Sequence, residues 1–289
     1  MTAGSVAPRE DTAVSPPMNT NRPPCYVLTM DPVNGARRRN AHQQFAHLPL
    51  EWKFVIGVPP GNQHGSGHYS PWRNLARMKR SMTPGEVSCY HGHRKIWETM
   101  LDDGHDMALV FEDDFSVVDR PALLHAIDNA TLIASRWDVV KFFDFSTKPV
   151  VCSRRVNQTE FVYHKYPTSG CVAYLIRAAV AAALLQRQAI FRPIDEDWSH
   201  PWESGLRLLS VVPNPVTEIA IGLGGSLLDA DRKNIRGTNR NWLRTIHGNI
   251  LALEKRIRSR RWQQRMRKVL GGPSDAPPRL AQQTDRTAA

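Results

Sequence analysis

The feature that most constrains this chain is an unbroken apolar run, Met107-Ala-Leu-Val-Phe111, that stops on the acids Glu112-Asp113-Asp114. A run without alternation suits a strand covered on both faces, as in parallel sheets. Consecutive carboxylates cannot follow it into a core unpaired, because burying a lone charge is too costly. The strand must therefore end where charge can be accommodated. In open α/β sheets the carboxyl ends of the strands are where ligands bind. Carboxylates at such an edge can hold a hard cation, Mg2+ or Mn2+, through oxygen ligands. That cation can neutralise a diphosphate leaving group. Two plainer readings remain beside it: a solvated strand end, or caps for a following helix.

The rest of the chain repeats the strand-helix alternation. Short apolar runs at Cys25–Met30, Phe54–Val58, Val139–Phe143, Cys171–Ile176 and Leu209–Val212 read as strands. A helix begins at Thr83, with Pro84 in its first position and Glu86 completing a capping box. Its face carries Val87, Tyr90, Trp97 and Leu101, and Gly104 ends it. An alanine-rich helix is expected from Arg177 to Gln186, and loops at Pro59–Tyr69 and around Asp195-Glu-Asp-Trp198. The fold class expected is α/β: one domain with a mostly parallel sheet and flanking helices. A basic helical tail follows it. The boundaries expected are a disordered leader over 1–24, a catalytic domain over 25–230, and a basic helical extension with a disordered end over 231–289.

With 289 residues the chain can bury a sizeable core. No stretch reaches the roughly 20 apolar residues of a membrane span. Met1–Pro24 is polar and proline-rich and does not read as a secretory signal. Cys25, Cys89, Cys152 and Cys171 form no CxxC pair, so reduced thiols are expected, with neither a disulfide frame nor a zinc site. The expected location is cytoplasmic. The net charge of +11 attracts nucleic acid, anionic lipid or an anionic substrate alike, and it concentrates between Lys255 and Lys268. In the tail, Ile250, Leu253 and Ile257 make an apolar stripe that turns basic. That pattern fits a helix docked on the domain, or one lying on the inner face of an anionic membrane.

Five motifs in order narrow the reading. They are Tyr26-Val-Leu-Thr-Met30 with Arg37-Arg38-Arg39, then Thr83-Pro-Gly-Glu86-Val-Ser-Cys89-Tyr-His-Gly-His93 with Trp97-Glu98, then Val110-Phe-Glu112-Asp113-Asp114, then Ser169-Gly170-Cys-Val-Ala-Tyr174-Leu-Ile176, and last Pro193-Ile-Asp195. Together they resemble glycosyltransferase family 25, the group typified by bacterial lipooligosaccharide galactosyltransferases. The resemblance covers roughly residues 25–228. It implies a GT-A type fold, a nucleotide-sugar donor (usually UDP-galactose), a divalent cation and transfer with inversion. It also implies a carbohydrate or lipid-linked glycan acceptor such as a lipopolysaccharide. The chain departs from the family pattern at Ala36, Gly92, Cys171 and Val172.

On this reading Asp114 is a direct metal ligand, and Glu112 touches the metal or the donor ribose. Asp113, between them, points elsewhere because strand neighbours alternate faces. Donor contacts are expected from Thr29, Arg37, Arg38, His93 and Asp113; the two arginines offer forked donors to a diphosphate. His93 is equally consistent with a hydrogen-bonded core histidine. Asp195 matches the family position for the base that takes the acceptor hydroxyl proton, with Glu196 or Asp197 in reserve. His200 and His247 are both candidates for a third metal ligand, and Trp198 and Trp202 for stacking on a sugar. Two other readings stay open. A nucleotidyltransferase acting on a sugar phosphate needs a Gly-rich phosphate loop, of which Asp31-Pro-Val-Asn-Gly35 is a poor version. A nucleic-acid-binding protein fits the charge but lacks zinc-finger, RNP-like or helix-turn-helix patterns, so no nucleic acid is expected.

Overall fold

The computed structural model describes residues 22–225, apart from 79 and 147, and the helix Trp242–Gly271, with side chains from 248. Most of the expected leader and the end of the expected tail lie outside the described residues. In chain order the elements are β1 (Cys25–Thr29), α1 (Ala36–Phe45), β2 (Trp52–Ile56), β3 (His68–Tyr69), α2 (Pro71–Arg77) and α3 (Pro84–Asp102). There follow β4 (Met107–Glu112), β5 (Phe115–Val117), α4 (Arg120–Leu132), β6 (Val139–Lys141), β7 (Val150–Val156), β8 (Thr159–His164) and β9 (Ala173–Arg177). Then come α5 (Ala178–Gln186), β10 (Ala189–Ile190), α6 (Ile194–Trp198), α7 (Pro201–Ser204), β11 (Leu208–Val212), β12 (Val216–Glu218) and α8 (Trp242–Gly271).

Eight strands make one sheet in the order β2-β1-β4-β9-β6-β11-β8-β7. Strands β2, β1, β4, β6, β11 and β7 point one way, and β9 and β8 run against them. The strand alternation divides the apolar residues between two cores. Cys25, Val27, Leu109 and Phe111 face one core, which α1, α4 and α8 cover. Tyr26, Leu28, Ala108 and Val110 face the other, under α3, α5 and α6. Two-sided cover is why β4 reads as a continuous apolar run.

The capping box forms as its spacing requires. Glu86 N donates to Thr83 Oγ1 at 3.0 Å, and Thr83 N donates back to Glu86 Oε2 at 3.0 Å. The hairpin β7–β8, turning at Asn157 with φ +51°, was not anticipated from its sequence. The segment expected as a loop around Asp195 is the short helix α6. Acids in its first turn favour that conformation through the helix dipole, and Asp197 is tied down by Arg187.

The tail helix divides by face. Trp262, Met266 and Leu270 are buried in the α4 core, and Arg136 and Arg154 donate to the carbonyls of Val269 and Leu270 at 2.6 and 2.8 Å. Those guanidinium groups satisfy backbone acceptors that a helix end leaves open. The opposite face exposes Ile250, Leu253 and Ile257 at 60%, 58% and 50%. The docked half makes α8 part of the same core as the sheet.

Candidate active site

A cleft of about 410 Å³ opens at the carboxyl ends of β1 and β4. Several elements converge on it, the first turns of α3 among them through Gly85, Glu86, Ser88 and Cys89. The β1 exit brings Leu28, Thr29 and Met30; β4 and its turn bring Glu112, Asp113 and Asp114; α6 brings Ile194 and Asp195. Glu218, at the end of β12, joins them because β12 pairs antiparallel with β5 and sets Glu218 opposite Phe115.

The acids are held by a buried network. Thr29 Oγ1 donates to Asp113 Oδ2 at 2.6 Å. Arg37 Nη1 donates to Asp113 Oδ1 at 2.7 Å and to Asp114 Oδ2 at 3.0 Å, and its Nη2 donates to the Gly225 carbonyl at 2.8 Å. Asp113 and Asp114 lie in the turn after β4, so strand alternation does not set their directions; Arg37 reaches both, and Thr29 adds a second hold on Asp113. Asp114 Oδ1 is buried with no hydrogen-bond partner. Burial, then the neighbouring charge of Glu112, pushes the Asp114 carboxyl up to about 7, against the pull of Arg37. Asp113 is raised too, chiefly by burial, with Thr29 and Arg37 pulling the other way.

His93 is fully buried and engaged on both ring nitrogens: Nδ1 lies 2.9 Å from Tyr174 Oη, and Nε2 lies 3.1 Å from Glu112 Oε1. Its place is behind Glu112, which it orients. Gly92 next to it lets α3 approach β1, since a Cβ there would stand 2.8 Å from Leu28 Cδ1. A serine there would need the Leu28 methyls to shift.

Other expected residues sit apart. Arg38 donates from Nε to the Asp31 carbonyl at 2.9 Å and packs over Phe54, outside the cleft lining. Glu196 turns toward Ser199, which is bonded to Lys255 near the middle of α8. Asp197 is locked between Tyr90 and Arg187. His200 lies in a separate small cleft with Trp202, Glu203 and Lys255. Burial first, then the Lys255 and Arg192 charges, depress its imidazole to about 4. Trp198 is core, edge-on to Tyr174, and the His247 side chain lies outside the described residues. Two cleft residues escaped the sequence reading. Glu218 comes from a three-residue strand with no local signature. Phe145, half exposed at the cleft mouth, is backed by Phe143 and by Gly170.

Among the lining residues the carboxylates Glu112, Asp113, Asp114, Asp195 and Glu218, with Glu86 already paired to Arg80, outnumber a single lining cation, Arg37. A hard divalent cation fits this donor set, and the unpartnered Asp114 oxygen is where one would be accepted.

Fold and cleft together define an α/β protein with a carboxylate-rich ligand cleft at the carboxyl edge of its sheet. The chain belongs to glycosyltransferase family 25: the model described as glycosyltransferase family 25 (LPS biosynthesis protein) matches residues 24–198. A glycosyltransferase 25 family member from Aedes aegypti is 30% identical over 180 residues, 55% of this chain and 28% of that one. Inactive glycosyltransferase 25 family member 3 from Homo sapiens is 31% identical over 121 residues, 40% of this chain and 20% of that one. The chain thus spans about a quarter of the length of these relatives, or less. A mannose-1-phosphate geranyltransferase structure from Thermus thermophilus overlaps at a TM-score of 0.34 and 10% identity, over 66% of this chain and 73% of that one. That likeness is too loose to support any inference.

The raised Asp114 carboxyl gives a pH prediction with a definite sign. Its folded value of about 7 lies above the ordinary 3.8, so folding favours the protonated form. The resulting stability is present below about pH 4 and is lost as pH rises toward 7. In EDTA, the urea midpoint of the protein should fall between about pH 4 and pH 7, and Asp114→Asn should flatten that fall. Equal slopes for both proteins would contradict the assignment.

Proposed function

We propose that this chain transfers a hexose, galactose from UDP-galactose being the reading taken from the family, onto a carbohydrate acceptor with inversion and with Mn2+ or Mg2+. The observation that carries it is the buried, unpartnered Asp114 oxygen in a cleft of carboxylates at the strand ends. A cleft of about 410 Å³ is of the size that takes small ligands and cofactors.

Asp114, Glu112 and Glu218 would hold the cation. Bound there, it would neutralise the charge that builds on the departing diphosphate. Arg37 and Thr29 hold the acidic row in place, and His93 fixes the Glu112 carboxylate. Leu28, Met30, Cys171, Val172 and Ile194 supply an apolar wall that excludes water from the donor. Asp195, in the same cleft, takes the proton from the acceptor hydroxyl as that oxygen attacks the anomeric carbon. Phe145 at the mouth offers a ring face to a sugar. Some relatives are named inactive; here the acidic row is intact.

The nucleotidyltransferase reading finds less support. Asp31 Oδ2 accepts from Arg37 N at 2.9 Å, so a carboxylate already faces the start of α1 where a phosphate loop would cradle an anion. The two reactions separate by product. Across a panel of nucleotide sugars, one donor should give metal-dependent release of nucleoside diphosphate. Asp195→Asn should slow transfer on the order of a hundredfold to ten-thousandfold with donor affinity nearly unchanged. Full turnover in excess EDTA, or release of pyrophosphate, would defeat the reading.

A lipid-linked acceptor would be met on the cytoplasmic face of an anionic membrane. No helix among the described residues is long and apolar enough to cross one. The outer face of α8 instead exposes Ile250, Leu253 and Ile257 beside the exposed Arg256, Arg258, Arg260 and Arg261. Apolar side chains can enter the headgroup layer while each cation near it adds about 1 kcal/mol. The full chain should co-sediment with phosphatidylserine vesicles, less so in added salt. Changing Ile250, Leu253 and Ile257 together to Ser should release it. Unchanged binding by that variant, or equal binding to neutral vesicles, would remove α8 as the contact.

A further inference from the structure

We propose a second metal site in this cleft, for a thiophilic divalent cation such as Zn2+, made by Cys89 Sγ, His93 Nε2 and a Glu112 carboxylate oxygen. Cys89 and His93 stand one turn apart on α3, a spacing that puts both on one helix face. Glu112 reaches them from the end of β4. Their ligand atoms all lie within 4.8 Å of one another, and His93 Nε2 is 3.1 Å from Glu112 Oε1. Zinc bonds of about 2.3 Å to sulfur and about 2.0 Å to nitrogen and oxygen need a tighter triangle. Cys89 and Glu112 are half-buried and can close it by side-chain rotation.

The surroundings suit a ligand rather than a chance cluster. Zinc-binding histidines give their second nitrogen to an outer partner, which fixes the ring. Here His93 Nδ1 lies 2.9 Å from Tyr174 Oη, which in turn accepts from Trp97 Nε1 at 3.1 Å. Without an ion, Nε2 carries the proton and donates it to Glu112; binding takes the other tautomer, with the proton on Nδ1 toward Tyr174, so that the Nε2 lone pair is given to the ion. Binding releases the Cys89 thiol proton and leaves His93 neutral; nothing is oxidised. Cys89 and Glu112 both line the cleft, so the fourth position of the ion opens into it. That is the three-ligand pattern with an open site.

The consequence rests on the hexosyl-transfer reading above. Glu112 belongs to both ligand sets, so a zinc ion drawing it toward Cys89 takes it from the hard cation beside Asp114. Zn2+ should therefore inhibit a Mn2+-supported reaction by competing for Glu112 while leaving Asp114 in place.

Co2+ is the probe, because thiolate ligation gives it a near-ultraviolet charge-transfer band that oxygen and nitrogen ligands do not. The full chain, with no nucleotide sugar present, should develop that band on titration with Co2+ and lose it on adding Zn2+. Cys152→Ser should keep the band, and Cys89→Ser, checked as folded by circular dichroism, should lack it. If Cys89→Ser does not fold, Glu112→Gln gives the second reading, with the titration moving to at least several-fold higher Co2+. No band in the unaltered chain, a band that survives Cys89→Ser, or an unmoved Glu112→Gln midpoint overturns the site. Because donor is absent throughout, failure here leaves the transfer reading standing, and failure of the donor screen leaves this site standing.

Discussion

Arg37 is what allows an acidic row to sit at the edge of a buried sheet. Its guanidinium meets Asp113, Asp114 and the Gly225 carbonyl, while its backbone N–H donates to Asp31. One residue thus ties the exit of β1, the start of α1, the turn after β4 and the segment after β12. Removing one partner from a buried pair costs about 3–5 kcal/mol, because the other charge is left uncompensated. The compensation is also incomplete. One cation faces Glu112, Asp113, Asp114 and Glu218, and one Asp114 oxygen has no partner. That residual charge is what the proposed divalent ion would offset.

Much of this could be read from the sequence, wherever the determining interactions are local. The capping box at Thr83 and Glu86 forms between residues three apart. The apolar run at Met107 becomes a strand because both sheet faces are covered, and the acids that end it fall at the carboxyl edge. Asp195 reaches the same cleft. Arg37 was legible as a site residue but not in its action: it holds carboxylates where the sequence reading gave it a diphosphate. Glu218 was not legible, since only the pairing of β12 with β5 brings it beside Asp114. Arg38 and Glu196 sit next in sequence to cleft residues yet turn away, because on a helix adjacent side chains diverge by about 100°.

The excess positive charge also has a structural account that its total conceals. Arg187 holds Asp197, Arg192 pairs with Glu203, and Arg136 and Arg154 satisfy carbonyls at the end of α8. These cations stitch elements together. Other basic residues stay exposed: Arg39, Lys53, Arg73, Arg120, Lys148 and Arg155 are scattered over the domain, and Arg256, Arg258, Arg260 and Arg261 lie on α8 near its unburied apolar stripe. Composition alone could not separate the two groups, because the separation depends on which cations the fold brings to a partner.

The central claim is that Asp114 is held in a buried, under-neutralised site in order to accept a hard cation. Electron paramagnetic resonance of Mn2+ tests it directly, since the sharp signal of free Mn2+ disappears on binding. Titrated at about pH 8, where the raised Asp114 carboxyl is ionised, the unaltered chain should remove one equivalent of Mn2+ from solution. Asp114→Asn, folded to the same extent, should leave the free signal intact. Equal Mn2+ uptake by both proteins would contradict the account.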